Sequence, residues 1–196
     1  YHRMGKHDTA RIYSDKINEV LQRLMLQRNE RMLPIALRRL ENSKKLFAKN
    51  LETPVELSRS YHRVAEIYRE LNDSANAEKF ALLAIDPLGT ESNSPSDEVM
   101  NFVTASDIYR ERKDFLTAAD YALKALAAVE PESLDVKSMI FMKLAVLNED
   151  LGNLSAATDF CEKAREVELQ RTAPDFSTVE MLDDFLKRLR KNLAHE

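Results

Sequence analysis

Four histidines, one cysteine and 33 acidic residues are the material from which chemistry could be built. His2, His7, His62 and His195 fall on separate stretches, with no two of them at i, i+4, so no metal is expected. Cys161 stands alone, which excludes an internal disulfide or a cysteine-based metal cluster; at an apolar helical position it reads as a small buried hydrophobe rather than a nucleophile. There is no phosphate-binding loop, no G-x-G-x-x-G, no G-x-S-x-G and no Cys/His dyad. The carboxylates face 29 Lys and Arg, and such residues on helical surfaces are solvated or form i, i+4 pairs worth a few tenths of a kcal/mol. Neither catalysis nor a cofactor is therefore expected.

The elements that would position any site are helices. Three Gly and six Pro in 196 residues leave little turn chemistry for hairpins, and good helix formers dominate. With 44% hydrophobic and 32% charged residues the chain can bury a core and keep a polar surface. The net charge of −4 reads as small and spread along the chain, favouring neither nucleic acid nor an anionic membrane. No apolar run approaches the ~20 residues of a membrane span.

One pattern recurs. Tyr61-x2-Val64-Ala65-x2-Tyr68 leads through Asn72 to Ala77-x3-Ala81-x2-Ala84. Phe102-x2-Ala105-Ser106-x2-Tyr109 leads to Ala118-x3-Ala122-x2-Ala125, and Phe141-x2-Leu144-Ala145-x2-Asn148 leads through Leu151-Gly152-Asn153 to Ala157-x3-Cys161-x2-Ala164. Ala77, Ala118 and Ala157 are 41 and 39 residues apart. A ring on a first helix would plug the space beside a second helix, whose small residues one turn apart let the backbones approach. Gly152 falls where a tight turn needs a positive φ, and Gly5 is read as its counterpart in a partial copy with Ala10, Ser14 and Ile17.

At these residues the chain resembles the tetratricopeptide repeat family, over about 1–28 and 58–170. It departs from the family pattern in having Tyr or Phe for Trp on the first helix, and Ala81, Ala122 and Cys161 where the pattern prefers a ring. Its units exceed the usual ~34 residues and are similar to those of bacterial signalling and regulatory proteins. The resemblance implies an all-α fold: an α-α superhelix, a right-handed solenoid of antiparallel helix pairs. One domain over 1–196 is expected, comprising a partial repeat at 1–28, an atypical helix at 32–50, repeats at 58–86, 99–130 and 138–170, and a capping helix at 177–194. Asn29 is read as the N-cap of the 32–50 helix, with Pro34 in its first turn, and Ser177 as the cap of the last. Met181, Leu182, Phe185, Leu186, Leu189 and Leu193 form an apolar stripe that would cover the end of the array. The polar stretch 86–96 is read as a loop.

Binding is the function the resemblance implies: a protein or peptide laid in a concave groove lined by the first helix of each pair. Counting from the rings, the groove candidates are Arg59, His62, Glu66 and Arg69; Met100, Val103, Asp107 and Arg110; and Met139, Met142, Val146 and Glu149. The groove thus grades from charged to apolar. The Lys and Asn with which some relatives grip acidic chaperone tails are absent from it, so that ligand class is not expected. Two other readings remain open: a homodimer formed through the last helix, and RNA or an anionic surface at Arg38, Arg39, Lys44, Lys45 and Lys49 or at Lys187 to Lys191, although no set of stacking aromatics accompanies either cluster. Tyr1 falls inside a repeat, so a piece of a larger, signalling protein is expected, cytoplasmic or, for a membrane sensor, periplasmic.

Overall fold

A computed structural model describes residues 4–85 and 95–194, with the backbone alone for 4–19 and 21–23. Among the described residues there are eight helices and no strand: α1 Met4–Phe47, α2 Pro54–Glu70, α3 Ser74–Ile85, α4 Pro95–Glu111, α5 Phe115–Ala128, α6 Leu134–Asp150, α7 Leu154–Gln170 and α8 Phe176–Leu193. The pairs α2/α3, α4/α5 and α6/α7 are antiparallel hairpins stacked in chain order, with α1 packed on α2 and α8 on α7. This is an α-α superhelix.

The small residues do what their spacing predicts. Ala77, Ala84, Ala118, Ala122, Ala125, Ala157, Cys161 and Ala164 are fully buried, and Ala81 is nearly so. Of the three plugs, Tyr61 is buried while Phe102 and Phe141 are half-buried. Each meets a ring of the following helix: Tyr61 with Phe80, Phe102 with Tyr121 and Phe141 with Phe160, centroids 6.2 to 6.3 Å apart. The ring expected at Ala81, Ala122 and Cys161 thus stands one residue earlier.

Each hairpin turns through the same hydrogen-bond motif. Asn72, Lys113 and Gly152 have φ of 59°, 63° and 78°, and the next residue's N–H bonds back to Tyr68, Tyr109 and Asn148 respectively. Asn50 ends α1 in the same way, with φ of 56° and Leu51 N–H on the Leu46 carbonyl. The counterpart of Gly152 is therefore not Gly5, which lies within α1.

The front of the chain differs from expectation in a second respect. One continuous helix of 44 residues, about 66 Å at 1.5 Å per residue, replaces a break near Asn29. Asn29 is buried rather than capping, and Pro34 is interior. A proline inside a helix costs about 3 kcal/mol; burial of Met32, Leu33, Ala36, Leu37 and Leu40 against α2 offsets it. At the other end, Asp175 rather than Ser177 caps α8, accepting from Ser177 N–H at 3.0 Å. Leu182, Leu186 and Leu189 cover Ala157, Cys161 and Ala164, whereas Met181 and Leu193 of the expected stripe stay exposed. Of the stretch 86–96, residues 86–94 lie outside the described residues, and Pro95 opens α4.

Candidate functional site

The first helices of successive pairs approach closely enough for their side chains to bond across, so that α2, α4, α6 and α8 form one row along the array. Arg59 of α2 forms a two-pronged pair with Asp97 of α4, both bonds 2.9 Å. Arg69 reaches Glu111 at 3.1 Å and Glu66 at 3.3 Å, while Glu66 accepts from the Thr104 hydroxyl at 3.0 Å. Lys143 of α6 pairs with Asp107 of α4, and Arg110 donates its Nε to Asp150 at 2.9 Å. Arg188 of α8 closes the series on Glu149 at 2.8 Å. The candidate charges therefore bond mainly along the array rather than within one repeat. Such pairs, partly exposed, contribute about 0–1 kcal/mol each; their larger effect is to hold groove side chains in fixed orientations.

The sequence candidates do not all reach the surface. Val103 is 6% exposed and packs in the core with Ala118 and Ala122, so it offers no contact area. Met139 is half-buried against the same cluster. Met100 is exposed, but it borders a separate small hollow with Val99, Val129 and Val136 where α4, α5 and α6 meet. Met142, Val146, Glu149 and Asp150 of α6 line an open groove of about 550 Å³, completed by Arg110 of α4 and by Met181, Phe185 and Arg188 of α8. Phe185, Met181 and Arg188 were legible only as parts of the last helix. Nothing in their spacing tells that α8 would form one wall of the groove.

The α1/α2 end of the array has a different character. A cleft of about 290 Å³ between α1 and α2 is lined by Ala36, Arg39, Arg59, Ser60, His62 and Arg63. Burial holds the His62 imidazole below its ordinary pKa, against the pull of Glu66. The charge that looked evenly spread is segregated: residues 1–63 carry 14 Lys and Arg against 7 Asp and Glu, a net +7, and residues 64–196 carry 15 against 26, a net −11. Of the second basic cluster, Lys187, Arg188 and Arg190 are each paired with a carboxylate. Among the described residues no group of three or more His, Cys, Asp or Glu could hold a metal, and no helix is long and apolar enough to cross a membrane.

Two buried serines do work that the repeat pattern did not announce. Ser58 and Ser138 stand three residues before Tyr61 and Phe141, and donate to the carbonyls of Ala84 and Ala164 at 2.7 and 3.1 Å. Asn101 adds a second bond to the Ala84 carbonyl, at 2.9 Å, tying α4 to the first pair. Glu168, 2% exposed, is held by Arg171 at 2.5 Å and by Asp175 N–H at 2.9 Å, which fixes the turn into α8.

This geometry defines an array of stacked helical hairpins. Residues 58–86, the α2/α3 pair, match the sequence model of the tetratricopeptide repeat. Among solved structures the fold is similar to a putative kinesin light chain with nearly identical TPR-like repeats from Podosopora anserina, at 13% identity over 89% of this chain and 87% of that one, with a TM-score of 0.60. It is also similar to BtubC (BKLC) from P. vanneervenii, at 16% identity over 86% of this chain and 93% of that one, with a TM-score of 0.53. No curated protein matches the chain. The tetratricopeptide repeat matched at residues 58–86 supports a protein–protein interaction scaffold in general.

Proposed function

We propose that this row of first helices receives a segment of a partner protein, anchored at the α6/α8 end. The observation that carries this reading is the open groove floored by Met142 and Val146, walled by Met181 and Phe185, and edged by Arg110 and Arg188. Methionines reshape around a bound side chain at little cost. Arg110 uses only its Nε on Asp150, and among the described residues its remaining N–H groups meet no carboxylate, which leaves them for one on a partner. The partner segment is therefore a peptide or helix bearing a bulky apolar residue beside an acidic one, recruited to a module of a larger signalling or regulatory protein.

Selection from a random peptide library displayed on phage tests this directly. Peptides that bind the intact chain and lose binding to Met142→Glu support the groove; peptides indifferent to that change place the interface elsewhere. A second reading is favoured by one observation: Phe176 and Leu193 of α8 are exposed and take no part in the groove. Self-association through them predicts a dimer in light scattering that Leu193→Glu abolishes while Met142→Glu does not.

A further inference from the structure

We infer that the cleft between α1 and α2 binds a phosphoryl group carried on a side chain of the protein partner. This rests on the groove reading above, since the same segment would run from this cleft towards the apolar end. Three arginines line the cleft, Arg39, Arg59 and Arg63. Arg39 and Arg63 are exposed, and neither has a carboxylate within ion-pairing distance among the described residues; Arg59 alone is matched, by Asp97.

The local balance of three cations against one anion leaves about +2, which suits the −1.5 to −2 of a phosphoryl group better than the −1 of a carboxylate. The neighbouring acids are otherwise committed. Glu56 is turned to the Thr53 amide at 2.8 Å, and Glu66 to Arg69 and Thr104. Planar guanidiniums meet phosphoryl oxygens two at a time, and the Ser60 hydroxyl borders the same space. The cleft is also large enough for the group and the first atoms of its side chain.

The charge segregation decides what the group is attached to. Beyond the cleft the row of first helices runs into Glu66, Asp107, Glu111 and Asp150, within the part of the chain that carries −11. These carboxylates are paired with Arg69, Arg110 and Lys143, so no row of unpaired cations continues from the cleft to hold a polyanion such as RNA, whereas a single phosphoryl group needs only the cleft itself. The phosphate is therefore a single side chain of a protein.

The test uses the full chain and small probes that cannot span the groove. N-acetyl-phosphoserine amide, titrated while the His62 ring resonances are followed by NMR, is expected to shift them saturably. The double variant Arg39→Ala, Arg63→Ala should raise Kd at least tenfold, while Lys191→Ala, on α8, leaves it unchanged. The proposal is overturned if the probe does not saturate, if N-acetyl-glutamate amide binds equally well, or if the double variant binds as wild type. A single-stranded oligonucleotide that binds more tightly than the phosphoserine probe at physiological salt would likewise overturn it, in favour of nucleic acid. Met142→Glu should leave phosphoserine binding intact. Failure at this cleft is thus read separately from failure of the apolar groove.

Discussion

Phe80 lies flat against Tyr68, ring centroids 5.5 Å apart and planes within 6° of each other. The next repeat repeats the arrangement with Tyr121 on Tyr109, at 5.4 Å and 13°. In the third, Asn148 stands at the corresponding place and uses its side-chain amide on the Leu144 carbonyl instead. Each stack fills the space that the family pattern assigns to a ring one residue later. Stacked pairs contribute about 0.5–1.5 kcal/mol beyond burial. Phe80→Ala should therefore cost about 3–5 kcal/mol in chemical denaturation. A loss under 1 kcal/mol would show that the ring is peripheral to the hairpin.

Ser106 carries a different expectation. It occupies the place of Ala65 and Ala145, is 1% exposed, and its hydroxyl has no hydrogen-bond partner. A buried hydroxyl without a partner costs about 1–3 kcal/mol. Ser106→Ala restores the residue its sister repeats use, and should raise stability by about 1 kcal/mol. A thermal melt reads this as an increase of several degrees, and a decrease would reveal a bond at that hydroxyl.

The hairpin turns separate conformation from packing. A Cβ at Gly152 would meet no atom within 4 Å, yet φ there is +78°. Gly152→Ala should thus destabilise by about 1 kcal/mol through backbone strain alone. Lys113, at φ 63°, already bears that strain. Lys113→Gly should be neutral or slightly stabilising, because relief of strain is offset by the entropy of glycine. Equal effects of opposite sign in urea denaturation, or a large loss at both positions, would contradict this account.

How much of this could be read in the sequence follows from distance along the chain. The alanines at 77, 118 and 157 and their companions are a local pattern of period three and four, and burial confirms all three sets. Gly152 was legible because glycine advertises positive φ; Asn72 and Lys113 adopt it without that signal. The continuity of α1 was hidden because Asn29 and Pro34 imitate a helix start, and only packing against α2 overrides them. The groove was hardest to read. Arg59 meets Asp97 across 38 residues and Arg188 meets Glu149 across 39, separations set by how the pairs stack rather than by any motif.

Cys161 reports on the last helix. Burial pushes its thiol up to about 11, and its Sγ lies 3.6 Å from the Leu182 carbonyl, under α8. At pH 8 the thiol should therefore be inert to a disulfide reagent in the native chain, since the thiolate is the reactive form. Deleting residues 175–196 uncovers Ala157, Cys161 and Ala164. The truncated chain should label rapidly and aggregate or melt earlier. A soluble, folded truncation with unreactive Cys161 would mean that α8 is not the cover of the array.

Arg110 offers the most direct probe of the proposed groove, because its structural and functional roles predict different readouts. It is 45% exposed on its side chain and bonded to Asp150 through Nε. An ion pair this open contributes about 0–1 kcal/mol to stability. Arg110→Ala should accordingly leave the fold intact, with a melting shift of a few degrees at most. If a partner carboxylate uses the remaining N–H groups, the same change removes a charge-assisted pair worth about 1–3 kcal/mol, a rise in Kd of roughly 5- to 150-fold. Met142→Glu should do more, since it places a charge on the floor that Val146 and Phe185 enclose. Calorimetric titration of a selected peptide against both variants, with circular dichroism to verify the fold, separates the outcomes. Weaker binding by Met142→Glu with none lost in Arg110→Ala would leave an apolar groove without an acidic partner. Unchanged affinity in both would move the interface to the outer face or to α8.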